Sequence, residues 1–378
     1  GAAPFDTTLI GNSVWLDGAA DDIKREGFTL SSDGQKEFII SMWVNFNEFG
    51  RAQQLFVLGN PTGIASFNDC SIGNGGSSGG QIKPTRLFRD IGWYHLLFTF
   101  NSNTSVPATG RLQLYVNGER QTNLATNTAV PDNQDVRGSL TGNVDLRFGR
   151  NTHPSLGYFY KGYYAQVCYL EGKSIQAGDF AVSDFLDTFT MGTNGSQFIP
   201  KKDSEIAALA TTVGGNSACL DFANSSDLGN DISSNNKDFT ATSMSSANQS
   251  SNTPSLTYPL LNPLSAAFST PLFEGNTRAT GSSGNGDDIN PGIIIPKTGK
   301  WVWQITNSTD ADLIYGVRNF SDMKAATYDY TNLYGFYSHN GTLVQGGSPS
   351  GSYLDAASGG DVYQIYFDAD TRKMWVSD

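Results

Sequence analysis

The chain has 378 residues, enough for two or three domains at the usual ~100–200 residues each. Forty-two glycines and only 16% charged residues accompany 23 Phe, 16 Tyr and 6 Trp, a profile that excludes a coiled coil and a wholly disordered chain and predicts a turn-rich β protein. Lys+Arg 24 against Asp+Glu 36 leaves a net charge of −12, a field that repels phosphate backbones and argues against nucleic acid as a partner.

In chain order, Glu37 to Phe46 (EFIISMWVNF) alternates with Phe38, Ile40, Met42, Val44 and Phe46 on one face, the period of a strand, and its apolar content predicts a central one. Further strands are predicted over Gln54 to Leu58, Trp93 to Phe100 and Arg111 to Val116, the last entering Asn117-Gly118, a hairpin turn whose central residues tolerate positive φ. Val144 to Phe148 and Tyr163 to Leu170 continue the pattern, with no long amphipathic helix among them, so a two-sheet sandwich or jelly roll is expected. Between Gly192 and Pro263, Ser, Asn, Thr and Asp take over around isolated anchors such as Leu220, Phe222, Leu228 and Phe239. Glu205 to Thr212 is the one short helix, and the segment reads either as a connector hugging its neighbours or as a flexible linker. A second β region offers strands at Lys300 to Thr306, Leu313 to Val317, Leu333 to Tyr337, Val362 to Phe367 and Lys373 to Val376.

The longest aliphatic stretch, Ile293 to Ile295, is far short of the roughly 20 residues of a membrane span, so no membrane insertion is expected. Cys70, Cys168 and Cys219 are odd in number and widely spaced, which writes neither a disulfide framework nor a zinc site. Cys168, within Val167 to Leu170, reads as a small buried hydrophobe. The chain opens at Gly1, and both of its ends are read as processed or trimmed.

Two family resemblances rest on these segments. SMWVNF at Ser41 to Phe46, WYHLLFTF at Trp93 to Phe100, LQLYVNGE at Leu112 to Glu119, and FGR at Phe148 to Arg150 followed by GYYAQVCYL resemble the concanavalin A-like, laminin G-type lectin fold, which implies a jelly roll over residues 1–195. GKWVWQI at Gly299 to Ile305, YGFY at Tyr334 to Tyr337 and the run from Gly360 to Asp378 resemble a SPRY domain over 263–378, without its closing strands and so incomplete. Residues 196–262 are then the Ser/Asn-rich connector. Its text, LDFANSSDLGNDISSNNKDFT and TPSLTYPLLNPL, together with the opening DTTLIGNSVWLDG, is similar to structural proteins of tailed bacteriophages. That resemblance implies an all-β protein on the virion exterior, a tail-fibre or appendage component, homo-oligomeric and, in the fibre case, trimeric. Its partners would be other virion proteins and a host-surface glycan.

Catalysis is not expected. His95 lies inside a strand, His153 and His339 lie in Gly/Asn-rich loops without an adjacent nucleophile, and no paired-acid strand motif of the glycanases that share the lectin fold is present. The alternative is a purely structural or decoration protein of the virion with no glycan ligand, and a polysaccharide depolymerase is the outlier. For sugar binding, Asn151 and His153 with Tyr158 and Tyr160 follow Arg150 and would supply polar groups beside aromatic faces; the alternative is that these rings pack against a subunit or the second domain. Asp132, Asn133 and Asp135 gather the oxygen donors that calcium takes, with ordinary turn formation as the competing reading. No other cofactor is required by any motif.

Overall fold

A computed structural model describes residues 9–49, 53–59, 65–68, 71–74, 80–88, 92–136, 142–150, 158–190, 196–255, 260–263, 272–279, 295, 297–308, 313–318, 333–346 and 348–378. The chain divides into two units, Gly1–Tyr258 and Pro259–Asp378. Among the described residues no helix is long and apolar enough to cross a membrane.

The strands of the first unit are β1 (Ser13–Asp17), β2 (Asp22–Phe28), β3 (Glu37–Phe46), β4 (Phe56–Gly59), β5 (Ala65–Asn68), β6 (Ser71–Asn74), β7 (Gln81–Pro84), β8 (Trp93–Asn101) and β9 (Leu112–Val116). They continue as β10 (Glu119–Arg120), β11 (Leu124–Thr128), β12 (Val144–Phe148), β13 (Lys161–Glu171), β14 (Leu186–Thr190) and β15 (Ser196–Pro200). Helix α1 (Asp203–Val213) follows, and then β16 (Ala218–Leu220), β17 (Thr240–Thr242) and β18 (Gln249–Ser250). One sheet runs β10-β9-β8-β3-β13-β1-β18, with β16 also on β13; the other runs β11-β7-β6-β5-β4-β12-β2-β17. Every strand pair is antiparallel, so the unit is a sandwich of two twisted sheets.

The core between the sheets is filled by alternate residues: Phe38, Ile40, Met42 and Val44 of β3, Leu96 and Phe98 of β8, Tyr164 of β13, and Phe56, Leu146 and Phe148 from the facing sheet. The turn after β9 forms as its residues require, with Asn117 at φ 49° and Gly118 at φ 77°, so the chain reverses without strain at the second position. The other face of β3 and β13 is apolar too. Ile39, Leu97, Cys168 and Leu170 meet Phe185, Leu186 and the α1 residues Ile206, Ala207 and Ala210 in a second buried layer.

The described residues between 196 and 255 are built into the sandwich through the apolar anchors expected of a segment that hugs its neighbours, and not as a flexible linker would lie. Strand β16 pairs with β13, β17 with β2 and β18 with β1. Leu220, Phe222, Leu228 and Phe239 all join the main core. A polar composition did not make the segment a linker, because its side chains satisfy its own backbone. The Asp231 carboxylate accepts the N–H groups of Cys219 (2.9 Å), Ser233 (2.9 Å) and Lys237 (2.8 Å), as short polar side chains do in tight turns. Up to Ser255 the described residues of this segment belong to the first unit.

The reading of the cysteines is corrected. Cys168 and Cys219 occupy directly paired positions on β13 and β16, with Cα atoms 4.2 Å apart, and are joined as a disulfide. Nothing short-range announces the pair, because 51 residues separate the two.

A β-bulge interrupts β13 between Ala165 and Cys168, where Gln166 takes φ 45°. Its amide donates to the Lys201 carbonyl (2.8 Å) and to Asp203 at the start of α1 (2.9 Å), fastening the helix to the sheet. Burial pushes the Asp203 carboxyl up to about 7, against the opposing pull of the Gln166 amide.

The second unit holds a short hairpin, β19 (Leu272–Phe273) and β20 (Arg278–Ala279), then β21 (Lys300–Thr306), β22 (Ile314–Arg318), β23 (Leu333–Tyr337), β24 (Thr342–Gln345), β25 (Ser348–Ser352), β26 (Val362–Asp368) and β27 (Lys373–Ser377). The antiparallel sheets β21-β26-β27 and β22-β23-β24-β25 bury Phe336, Tyr363 and Ile365, with Trp303, Ile305, Tyr315 and Met374 packed around them. All five strands expected in this region are present within a residue of their predicted bounds.

Two outcomes follow. Phe222→Ala should cost roughly 3–5 kcal/mol in chemical unfolding, as core aromatic truncations do, whereas a linker residue would cost nothing measurable. Asp203→Asn should stabilise the chain above neutral pH and have little effect near pH 4. The folded carboxyl keeps its proton up to about 7 and the unfolded one releases it near 3.8, so wild-type stability falls as pH rises through that window, by on the order of 1–3 kcal/mol. Urea titrations of both proteins at pH 4 and pH 8 measure the difference, and equal differences at the two values would contradict it.

Candidate functional site

Of the residues expected to bind sugar, Tyr158 and Tyr160 fall among the described residues. Asn151 and His153 lie outside the described residues. Tyr160 is fully buried, and its hydroxyl donates to the carbonyls of Asn45 (2.7 Å) and Tyr163 (3.0 Å). Its ring packs edge-on to Phe46 and 4.6 Å from Tyr164, so it is a core residue rather than a stacking platform, and burial raises its phenol well above the ordinary value. Tyr158 is half-buried. Phe159 pairs with Arg150 across an isolated bridge, under the Arg150 guanidinium at 5.3 Å. One physical fact separates the expected ring from the observed one: Tyr160 immediately precedes β13 and turns inward with Tyr164.

The acidic loop is engaged by the chain's own cations. Arg111, buried at the head of β9, donates through Nε to the Val106 carbonyl (2.9 Å) and through Nη1 to the Val130 carbonyl (2.8 Å), and its Nη2 is paired with Asp132. Asn133 sits at φ 52°, its amide oxygen accepting from Lys36 Nζ (3.2 Å) and its N–H donating to the Ser102 carbonyl (2.7 Å). Asp132 is thus engaged by Arg111 and Asn133 by Lys36, the arrangement that the competing turn reading of this loop implies. Among the described residues, no three His, Cys, Asp or Glu side chains gather closely enough to hold a metal ion.

His95 is a core residue, as its strand position implied. Its Nε2 lies 2.8 Å from Ser41 Oγ, its ring is 5.1 Å from that of Trp43, and burial alone pushes it down to about 3, so the imidazole is neutral and far from a general base poised near neutrality.

A polar surface not foreseen from the sequence lies on the outer face of the second sheet. Asp22, Lys24 and Glu26 alternate outward along β2, while Ile23 turns into the core. Lys24 is opposite Arg147 of β12 on one side and Thr240 of β17 on the other, and Thr242 is opposite Asp22. Arg147 bridges two carboxylates, Asp22 and Glu26 (2.6 Å to the latter), and Lys24 Nζ reaches Glu26 at 3.0 Å. The hydrogen bond from Lys24, aided by Arg147, holds the Glu26 carboxyl below the usual range. Asp145 accepts the N–H of Gly27 at 2.9 Å. The result is a row of alternating charge and hydroxyl groups, fixed by strand register and by mutual pairing. It was missed because DIKREGF alternates too weakly to be read as a strand.

Because Arg111 already occupies Asp132, adding millimolar Ca²⁺ should leave the melting temperature unchanged, and removing divalent ions should do the same. A calcium-dependent upward shift that disappears in Asp132→Asn would reinstate the loop as a metal site.

Comparison with known proteins places the fold. Residues 17–171, less than half of the chain, match the sequence model of the concanavalin A-like lectin/glucanases superfamily. No curated protein matches the chain. Similar solved structures include a native heptameric SAP-like pentraxin from Limulus polyphemus, 10% identical, with 52% of this chain and 94% of that one covered and a TM-score of 0.32. Domain 4 of a GH43 extracellular arabinanase from Geobacillus stearothermophilus, solved with arabinotriose, is 16% identical over 49% of this chain and 81% of that one, with a TM-score of 0.35. The NanB sialidase of Streptococcus pneumoniae is 14% identical, covering 45% of this chain and 29% of that one, with a TM-score of 0.26. The first unit thus contains a concanavalin A-like, lectin-type domain, as its strand motifs implied.

Proposed function

We propose that the chain is a non-enzymatic, carbohydrate-binding component of the exterior of a tailed-phage virion, and that its lectin-like unit meets glycan through the outer face of β2, β12 and β17. The observation that carries this reading is the row Lys24, Glu26, Arg147 and Thr240. Charged and hydroxyl groups are held there at fixed strand spacing, on the sheet face opposite the core. Sugar hydroxyls both donate and accept, so paired carboxylate and cation side chains suit them better than an apolar cleft does.

Binding rather than hydrolysis fits the protonation states of this row. Glycoside hydrolysis needs one carboxyl kept protonated as the acid, and Glu26 is held in the opposite direction by Lys24 and Arg147. The carboxyl raised to about 7, Asp203, belongs to the layer covering the other sheet, where it is fastened to Gln166. The virion setting rests on the similarity of the opening segment and of residues 220–264 to phage structural proteins. It carries with it a homo-oligomer, a trimer in the fibre-like case, and a SPRY-like second unit.

A glycan array probed with the full chain and with the Lys24→Gln/Glu26→Gln double variant tests the site. Wild type should bind a defined subset of glycans, and the variant should lose at least tenfold in affinity while melting within a few degrees of wild type, since exposed ion pairs contribute only about 0–1 kcal/mol. An array with no glycan bound, or a variant that binds as wild type does, removes the site. An antibody against the chain should decorate intact phage particles; labelling that appears only after disruption would remove the exterior location.

A further inference from the structure

The three-stranded sheet of the second unit has one face in the core and one in solvent, and the solvent face is aromatic. Alternation along β21, β26 and β27 sends Trp303, Ile305, Tyr363, Ile365, Met374 and Val376 into the core. The opposite positions then carry Val302, Tyr366 and Trp375, which lie directly across from one another in the strand register, Val302 against Tyr366 and Tyr366 against Trp375. A sheet with one solvated face ordinarily presents polar side chains there. Here Val302 is 61% exposed, Tyr366 41% and Trp375 52%. They form one row, not scattered single residues.

The row is bounded by hydrogen-bonding groups that are already held in place. Tyr366 donates its hydroxyl to the Gln364 amide oxygen two residues back on the same strand face. On the other side, Lys300 and Asp368, also opposite each other in register, form an ion pair. The second oxygen of Asp368 accepts the N–H groups of Asp370 (3.0 Å) and Thr371 (3.1 Å), so the carboxylate is anchored by the turn into β27. Over Lys300, Val302, Tyr366, Asp368 and Trp375 the surface dips into an open depression of about 470 Å³.

Size and chemistry together select the occupant. Small-ligand sites run to roughly 300–1,000 Å³, whereas a stable protein interface takes roughly 20–30 residues from each side. The five exposed apolar side chains of this sheet, Trp301, Val302, Val362, Tyr366 and Trp375, still fall well below the second requirement, and the depression falls within the first. An apolar ligand would make no use of the hydrogen-bonding capacity that the rim keeps beyond these internal bonds, such as the amide N–H groups of Gln364 and the further ammonium protons of Lys300. A sugar ring uses both parts, because its axial C–H groups lie against the electron-rich face of an aromatic ring while its hydroxyls reach an amide, an ammonium and a carboxylate at the edge. The net charge of −12 disfavours an acidic polymer.

We infer that this face is a second carbohydrate-binding site, for a neutral oligosaccharide or polysaccharide, in which Trp375 and Tyr366 stack on sugar rings and Gln364, Lys300 and Asp368 bond to their hydroxyls. It is independent of the row on the first unit.

Affinity electrophoresis of the full chain in native gels containing laminarin, xylan or galactomannan, with acidic alginate as the contrast, tests the assignment. At least one neutral polysaccharide should retard wild type. Trp375→Ala should weaken that retardation at least tenfold in apparent Kd, Trp375→Phe should restore most of it, and Lys24→Gln/Glu26→Gln should leave the Trp375-dependent part intact. The exposed position of Trp375 predicts an unchanged melting curve for Trp375→Ala; if that variant melts early, Tyr366→Ala serves in its place. Retardation by none of the neutral polymers, retardation by alginate alone, or retardation indifferent to both rings would overturn the proposal. So would a chain whose oligomer falls to monomer in Trp375→Ala with polysaccharide binding unaltered, since the face would then join copies of the protein.

Discussion

The first unit is organised by the need to cover β3 and β13 on both faces. In β3 every residue from Phe38 to Phe46 is buried. In β13 burial runs from Gly162 to Glu171. A facing sheet can cover only one side of such strands, and leaving Ile39, Leu97 and Leu170 against water would forfeit roughly 1.5–3 kcal/mol for each side chain. The fold therefore has a third layer, in which α1 and the segment from Phe185 lie on the outer side of the first sheet. The disulfide, the bulge at Gln166 and the contact between Gln166 and Asp203 all lie within this added layer or fasten it down.

Electrostatics in the first unit follow a common rule: buried or partly buried charge is paired at short range by a group fixed to a strand. Arg111 closes the loops around Val106, Val130 and Asp132 from the start of β9. Arg147 spans Asp22 and Glu26 from β12. Glu171, at the end of β13, accepts the N–H groups of Ser31 (2.8 Å) and Asn216 (2.9 Å) and so ties two distant loops to the central strand. With few charges in the chain, most of those near the core serve to position backbone, and the row on β2 and β12 stands out as the place where several of them pair with one another, from buried Asp22 to exposed Glu26.

Much of the architecture was legible in the residues. Strand β3 was readable to the residue because Phe38, Ile40, Met42, Val44 and Phe46 give one face an unbroken apolar period of two, and the Asn117-Gly118 turn was readable because few dipeptides tolerate two positive φ values. The tail of the unit was not. Composition between 196 and 258 resembles a linker, and strands of two or three residues carry no periodicity to detect; their pairing is decided by long-range register with β13, β2 and β1. The site was less legible still. Whether Tyr160 faces solvent or core depends on where β13 starts, and one residue of phase reverses the answer. Asp132 looked like a metal ligand because its partner, Arg111, is 21 positions earlier in sequence and adjacent only in space.

The pairing of β1 with β18 sets an order on how the molecule comes into being. Ser13 bonds through its hydroxyl to the carbonyl of Asn252 (2.6 Å), 239 residues later in the chain. A ribosome moving at roughly 5–20 residues per second needs on the order of ten seconds or more to travel that distance. Throughout that interval the outer edge of β1 emerges as an unpaired strand, able to recruit any other nascent β-segment within reach. The last stretch of the unit to be synthesised is thus the one that seals the first, and the polar, turn-rich text of residues 221–255 gives this latch a sequence that remains soluble while it waits to close.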